Sequence, residues 1–285
     1  MSIKVSNLSY TYQQDTPFQK EALYDLTFEI PDGQITAIMG HTGSGKSTLA
    51  QHFNGLLMPS TGTISVNDIP VTSKTLKQVR YQVGMIFQYP EYQLFDETVL
   101  KDIAYGILLR GISPEEAENK AKEAMKLVGL DPETHGNRSP FDLSGGQKRR
   151  AAIAGVLVME PSILVMDEPA AGLDPEGRRE ILNLVQKLNK EKGITVVIVS
   201  HSVEDMAELA DNILILNRGR LHAFGKPADI LTDKESLEQA GLELPVATVL
   251  MQNLAKRLPG LPTNAFTVEG AVEALIQYKG GQTNE

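Results

Sequence analysis

The eight residues Gly40-His41-Thr42-Gly43-Ser44-Gly45-Lys46-Ser47 match the pattern G-x-x-x-x-G-K-[S/T]. Glycines at these positions let successive backbone N–H groups turn inward around a phosphate, and a helix beginning there adds positive potential. Lys46 would reach the β- and γ-phosphates, and Ser47 would ligate Mg2+. A second constellation is Ile163-Leu164-Val165-Met166-Asp167-Glu168, an apolar run that ends in two acids. Asp167, at the carboxyl end of a strand, would hold Mg2+ through water. Glu168 would polarise the water that attacks the γ-phosphate. The third is Leu143-Ser144-Gly145-Gly146-Gln147. Ser144 and the two glycine N–H groups would form an anion-binding nest at the start of a helix over 144 to about 158. Each has a bland counterpart: a Gly-rich turn, a charge pair opening a helix, a loop capping a helix. Together in one chain they point to phosphate chemistry.

These residues need elements to hold them. Ile35-Thr36-Ala37-Ile38-Met39 is a short apolar run directly before the glycine loop, as suits a strand buried on both faces. Similar runs occur at 163–166, 195–199 and 213–216, separated by helical patterns such as 176–190. Strands alternating with helices predict a parallel sheet in an α/β fold. Residues 3–12 and 23–30 alternate apolar and polar side chains and read as an antiparallel edge sheet. From 97 to 160 no buried strand pattern occurs, which predicts a helical insertion. Ser113-Pro114-Glu115-Glu116 opens one of its helices, with Pro at the first helical position. Beyond Pro227 the pattern changes to amphipathic helices at 246–257 and 267–278, and 279–285 reads as a frayed end.

The chain has 285 residues, 41% of them hydrophobic, and no cysteine. That excludes disulfides, zinc ribbons, iron–sulfur clusters and cysteine nucleophiles together. A net charge of −9 disfavours a nucleic-acid partner, which calls for a basic face. No apolar run approaches the ~18 residues of a membrane span, and Met1-Ser2-Ile3-Lys4 opens no signal-peptide core. Any membrane role is therefore expected to come through a partner.

The glycine loop, the Ser-Gly-Gly-Gln run, the Asp-Glu pair and the later His201 together resemble the ATP-binding cassette (ABC) ATPases over about residues 3–225. The resemblance implies a P-loop NTPase with a RecA-like core, an antiparallel β edge sheet, a helical subdomain at about 97–160 and a small C-terminal helical appendage. It divides the chain into a nucleotide-binding domain, 1–228, and an appendage, 229–285, that helps hold a dimer together. The implied ligands are ATP and Mg2+. Tyr12 resembles the aromatic that stacks on adenine, and Gly40 to Ser47 with Thr48 cradle the phosphates. Gln88 resembles the glutamine that touches Mg2+ and the attacking water. Ser144, Gly145, Gly146 and Gln147 would close on the nucleotide of a facing subunit. Gly172-Leu173-Asp174 resembles the loop that crosses the dimer interface, and His201 the histidine that contacts the γ-phosphate.

Narrower features resemble the ATPases of energy-coupling factor (ECF) importers of vitamins and metal ions: Gln51-His52-Phe53-Asn54-Gly55-Leu56-Leu57, the stretch Phe87 to Phe95 followed by Glu97-Thr98-Val99, and Ala152 to Leu157. Intact Glu168-Pro169 and Gly172-Leu173-Asp174 are similar to the second of two ATPase paralogues. Ala170 departs from the usual Thr and leaves the acids in place. The resemblance implies a second ATPase subunit, paralogous or identical, a transmembrane coupling component docking near Gln88-Glu97, a separate substrate-binding membrane component, and a peripheral address on the cytoplasmic membrane face. Alternatives within the superfamily are a conventional importer ATPase and a non-transport ABC protein; a regulatory module without turnover is a third, opposed by Glu168 and His201.

In the segment Tyr89 to Glu97, Pro90 predicts departure from the sheet. Leu94 and Phe95 are then expected on the surface, with Glu91, Asp96 and Glu97 facing a basic partner and Gln93 hydrogen-bonding it. The same pattern also allows Leu94 and Phe95 to pack inward while the acids cap a helix near 97.

Overall fold

The computed structural model describes the backbone of residues 2–282 and side chains as far as 279. The strands are β1 (Ile3–Tyr12), β2 (Lys20–Ile30), β3 (Ile35–Met39), β4 (Thr61–Val66), β5 (Ile69–Pro70), β6 (Val83–Ile86), β7 (Ile163–Asp167), β8 (Thr195–Val199), β9 (Asn212–Asn217) and β10 (Arg220–Gly225). They form two sheets. A six-stranded sheet has the order β10-β9-β3-β8-β7-β6, parallel except for the edge strand β10. A four-stranded antiparallel sheet has the order β2-β1-β4-β5. This is the α/β architecture expected, with its antiparallel companion sheet.

The apolar runs are explained by the alternation of their side chains. In β3, β7, β8 and β9, Met39, Met166, Ile198 and Ile215 join the core on one face of the sheet, with the helical insertion. Ile38, Val165, Val197 and Leu214 join the core on the other face, with the antiparallel sheet and the helix Lys46–Phe53. Both faces are covered, so polar side chains in these strands are confined to the ends and the position next to one, Thr36. The strands at 61–66 and 220–225 were not foreseen, and β6 only as the strand that Pro90 ends. They are short, or carry exposed and half-exposed residues, so their apolar periodicity is weak.

The insertion contains the helices Val99–Leu108, Pro114–Leu127 and Gly145–Leu157. Ser113 caps the second of these, accepting from the Glu116 N–H, with Pro114 in the first turn. At the C-terminal end, Ile230, Leu231, Leu237, Ala240 and Leu242 pack into the main core, whereas Ala247, Met251, Leu261 and Ala271 form a small core of their own. The last helix runs Val268–Gln282. The expected fraying of 279–282 is thereby corrected, because the helix carries on through them; 283–285 and Met1 lie outside the described residues. No helix among the described residues is long and apolar enough to cross a membrane.

Candidate active site

β3 delivers its carboxyl end directly into the glycine loop. Gly40 has φ +141°, and a Cβ there would lie 2.2 Å from the carbonyl oxygen of Leu216 on the neighbouring strand, so only glycine fits. Gly45 has φ +104°, and its Cβ would lie 2.8 Å from the Leu23 side chain and 3.0 Å from the Ala22 carbonyl. The loop is pinned from the far side by the Gly219 N–H, which donates to the Ser44 carbonyl at 2.9 Å. The helix Lys46–Phe53 follows at once. Lys46 folds back, its Nζ donating to the carbonyls of Gly40 (2.8 Å) and His41 (3.0 Å). Burial pushes the Lys46 ammonium below the usual lysine range, against the pull of Glu168 and Asp167. A phosphate would relieve that cost by supplying negative charge.

β7 ends at Asp167, beside the loop. Burial raises the Asp167 carboxyl, opposed by a hydrogen bond from the Ser47 hydroxyl; Glu168 raises it further and Lys46 lowers it. Its Oδ1 is buried with no hydrogen-bond partner among the described residues. An orphaned carboxylate oxygen beside a serine hydroxyl is a donor set that fits a hard divalent cation such as Mg2+. Glu168 follows with φ +50°, a conformation that a non-glycine residue adopts at some cost, and its N–H donates to the Val199 carbonyl at 3.0 Å. That backbone turn carries the Glu168 carboxylate to His201, at the end of β8. His201 Nδ1 lies 2.9 Å from Glu168 Oε2 and 3.0 Å from Oε1. His201 is 75% exposed and Glu168 only 17%. Gln88, at the end of β6, lines the same cleft of about 330 Å3 as Glu168 and His201.

Tyr12 lines a neighbouring cleft of about 430 Å3 with Gly43, Gly45, Lys46, Ser47 and Thr48. Its hydroxyl is 2.9 Å from Thr48 Oγ1. His41 and Thr42 line a third cleft, shared with His201. Asp174 caps the helix Pro175–Lys192, accepting from the Gly177 N–H at 2.7 Å. Ser144 caps the helix Gly145–Leu157 in a capping box with Gln147. A Cβ at Gly145 or Gly146 would meet nothing within 4 Å, so that helix start faces open space. None of these three clefts takes in any of Ser144, Gly145, Gly146 or Gln147.

The structure corrects two expectations in the segment after Gln88. Leu94 is 7% exposed and belongs to the main core, because the turn Pro90–Gln93 tips it inward; Phe95 remains 59% exposed. Glu91 does not face outward for a partner. It pairs with Arg149, whose side chain is 2% exposed. Burial works to raise the Glu91 carboxyl, but the Arg149 hydrogen bonds, its own backbone N–H and the Arg149 charge hold it below the usual glutamate range. Glu97 pairs with Lys101 one turn along its helix.

Arg149 was not singled out in the sequence. It sits in the run Lys148-Arg149-Arg150, which reads as a solvated helix face. A signal was present: Arg149, Ile153 and Leu157 lie at intervals of four, and all three are buried. Arg178 was missed too. It donates to Asp205 and Ser202, and so braces the start of the helix after His201.

Residues 23–171 match the ABC transporter family. The energy-coupling factor transporter ATP-binding protein EcfA2 of Clostridium tetani is 49% identical over 279 residues, 97% of each chain. That of Clostridium perfringens is 50% identical over 279 residues, 97% of this chain and 98% of its own. Among solved structures, CbiO1 of Clostridium perfringens, described as part of the ABC transporter complex CbiONQ, superposes with a TM-score of 0.74 at 36% identity, covering 90% of this chain and 95% of that one. The dimeric post-hydrolysis state of the ATP-binding cassette MJ0796 with ADP and Pi superposes with a TM-score of 0.71 at 30% identity, covering 79% and 98%.

Proposed function

Since the chain belongs to the ABC transporter ATPases, and among them to the ATP-binding proteins of energy-coupling factor transporters, we propose that it hydrolyses ATP at a subunit interface to drive uptake of a vitamin or metal ion through a membrane partner. The observation that carries the mechanism is the division of the site. Lys46, Asp167, Glu168, Gln88 and His201 converge at the strand ends, whereas the helix start at Ser144 lies outside their clefts and faces open space. A second ATPase subunit supplies the missing helix start, and this chain supplies its own to that partner.

In this reading Tyr12 carries the adenine and the Gly40–Thr48 loop holds the phosphates. Ser47, Asp167 and Gln88 would hold Mg2+, which would neutralise phosphate charge. Glu168 accepts a proton from the attacking water, and His201 holds the Glu168 carboxylate and meets the γ-phosphate. Asp174 stiffens the loop at the subunit contact. Preorganised N–H groups and Lys46 act on the developing charge in a water-poor interface.

The residues 1–228 serve as the nucleotide-binding domain, and 229–285 as an appendage that strengthens the dimer. Its helices expose Val246, Val268, Val272 and Ile276, which suits burial against a second subunit. The transmembrane component docks near Gln88-Glu97, a substrate-binding membrane component selects the cargo, and the chain is peripheral on the cytoplasmic face. Co-expression with a candidate transmembrane component tests this. An ATPase-active complex that accumulates cargo in vesicles only when ATP is present supports it; a chain that purifies with no integral membrane protein contradicts it.

A further inference from the structure

Arg149 joins three segments with one side chain. It projects from the helix Gly145–Leu157, two residues past Gln147. On one side, Nε and Nη2 donate to Oε2 and Oε1 of Glu91 at 3.0 and 2.7 Å. On the other, Nη1 donates to the carbonyls of Pro169 (3.1 Å) and Ala171 (2.8 Å). Those carbonyls belong to the turn that immediately follows Glu168. Glu91 belongs to the turn Pro90–Gln93, three residues after Gln88. The same two turns meet a second time, where the Tyr89 ring lies 3.4 Å from the position a Cβ on Gly172 would occupy. Tyr89 has φ +56°, so its backbone is held in that pose by its surroundings.

A guanidinium suits this place because its donors form a rigid planar fork with two usable edges. A lysine ammonium gathers its donors at one point and cannot span acceptors on two opposite sides. Glu91 neutralises the charge, and the two carbonyls complete the shell, so the buried fork can exist only while all three segments keep their mutual positions.

We propose that Arg149 is a positioning residue for ATP hydrolysis, tying the turn after Gln88 to the turn after Glu168 and so setting the Glu168 carboxylate according to how the membrane partner sits on the first turn. The link to the partner rests on the docking reading above; the positioning of Glu168 does not.

The test uses the full complex with Arg149→Lys, Glu91→Gln and the double variant, measured for kcat, KM for ATP, uptake per ATP hydrolysed and thermal unfolding. Each single variant is expected to lower kcat by about tenfold, with KM within about twofold, and the double to lose no more than the worse single, because both cut the same link. Uptake per ATP falls alongside. A merely structural role would lower the unfolding temperature with kcat preserved well below it, or would be rescued by Lys; either result overturns the proposal, as do effects that add in the double. Should Arg149→Lys not fold, Glu91→Gln alone decides through the same split of kcat from KM, since Arg149 keeps its carbonyl bonds there. The docking reading is judged separately, by Glu97→Lys, so the two can fail independently.

Discussion

His201 Nδ1 sits almost equidistant from the two carboxylate oxygens of Glu168, at 2.9 and 3.0 Å. The exposed histidine thus holds the half-buried acid by both of its acceptors and fixes the orientation of the Glu168 carboxylate. His201→Ala removes that hold together with the γ-phosphate contact proposed for this residue. Its kcat should fall by about 10- to 100-fold, while ATP affinity changes only slightly. Steady-state kinetics with a parallel nucleotide titration checks this.

Lys46 is expected to behave differently, because in the proposed site its charge meets the phosphates already in the ground state. Lys46→Ala should weaken nucleotide binding itself, and calorimetry would register the loss. Burial lowers the Lys46 ammonium, so bound phosphates should raise it again, and at alkaline pH ATP binding should take up protons. Titrations in buffers of different ionisation enthalpy would detect that uptake in the wild type and its disappearance in Lys46→Ala.

Asp167 gives the opposite pH signature. Its carboxyl is raised by burial first, and by Glu168, so the protonated form persists to higher pH than in a free aspartate. Mg2+ needs the ionised form. Mg2+ affinity in the presence of a nucleotide should therefore fall as pH drops through the raised value, with protons released on binding in that range. Folding stability has the opposite pH dependence. Ionising Asp167 costs stability, and that cost is relieved as pH falls below the folded value. Asp167→Asn should remove the proton release, and a pH-independent Mg2+ affinity in the wild type would contradict the assignment.

Within the proposed docking segment, Leu94 and Glu91 are taken up inside the protein, whereas Gln93, Phe95 and Glu97 remain exposed. Gln93 and Glu97 substitutions should leave fold and nucleotide affinity unchanged, yet uncouple ATPase from uptake or prevent assembly. Glu97→Lys should be the more severe, because it places two cations, with Lys101, where a basic partner residue would approach. Assembly and uptake assays on reconstituted complexes check both.

Much of the site was legible because its motifs are local. The loop from Gly40 to Ser47, the acids closing β7 and the cap at Ser144 depend on residues within one turn or strand, and spacing alone reports them. The buried runs of β3, β7, β8 and β9 were legible because a two-sided core keeps them almost wholly apolar. The long-range pairings were not. Whether Leu94 faces in or out depends on how a four-residue turn leaves the sheet. The partnership of Glu91 with Arg149 spans 58 positions, and nothing in either neighbourhood points to the other. The short strand β6, which delivers Gln88, carries too few residues to show a period.

The central claim is that Glu168 is the acid–base group of ATP hydrolysis at this site, and Glu168→Gln tests it most directly. The amide keeps the shape and the approach to His201 but cannot draw a proton from water. Steady-state ATPase of the reconstituted complex should fall by about 10²–10⁴-fold, with ATP affinity retained. A variant that hydrolyses ATP within about threefold of the wild type would contradict the account.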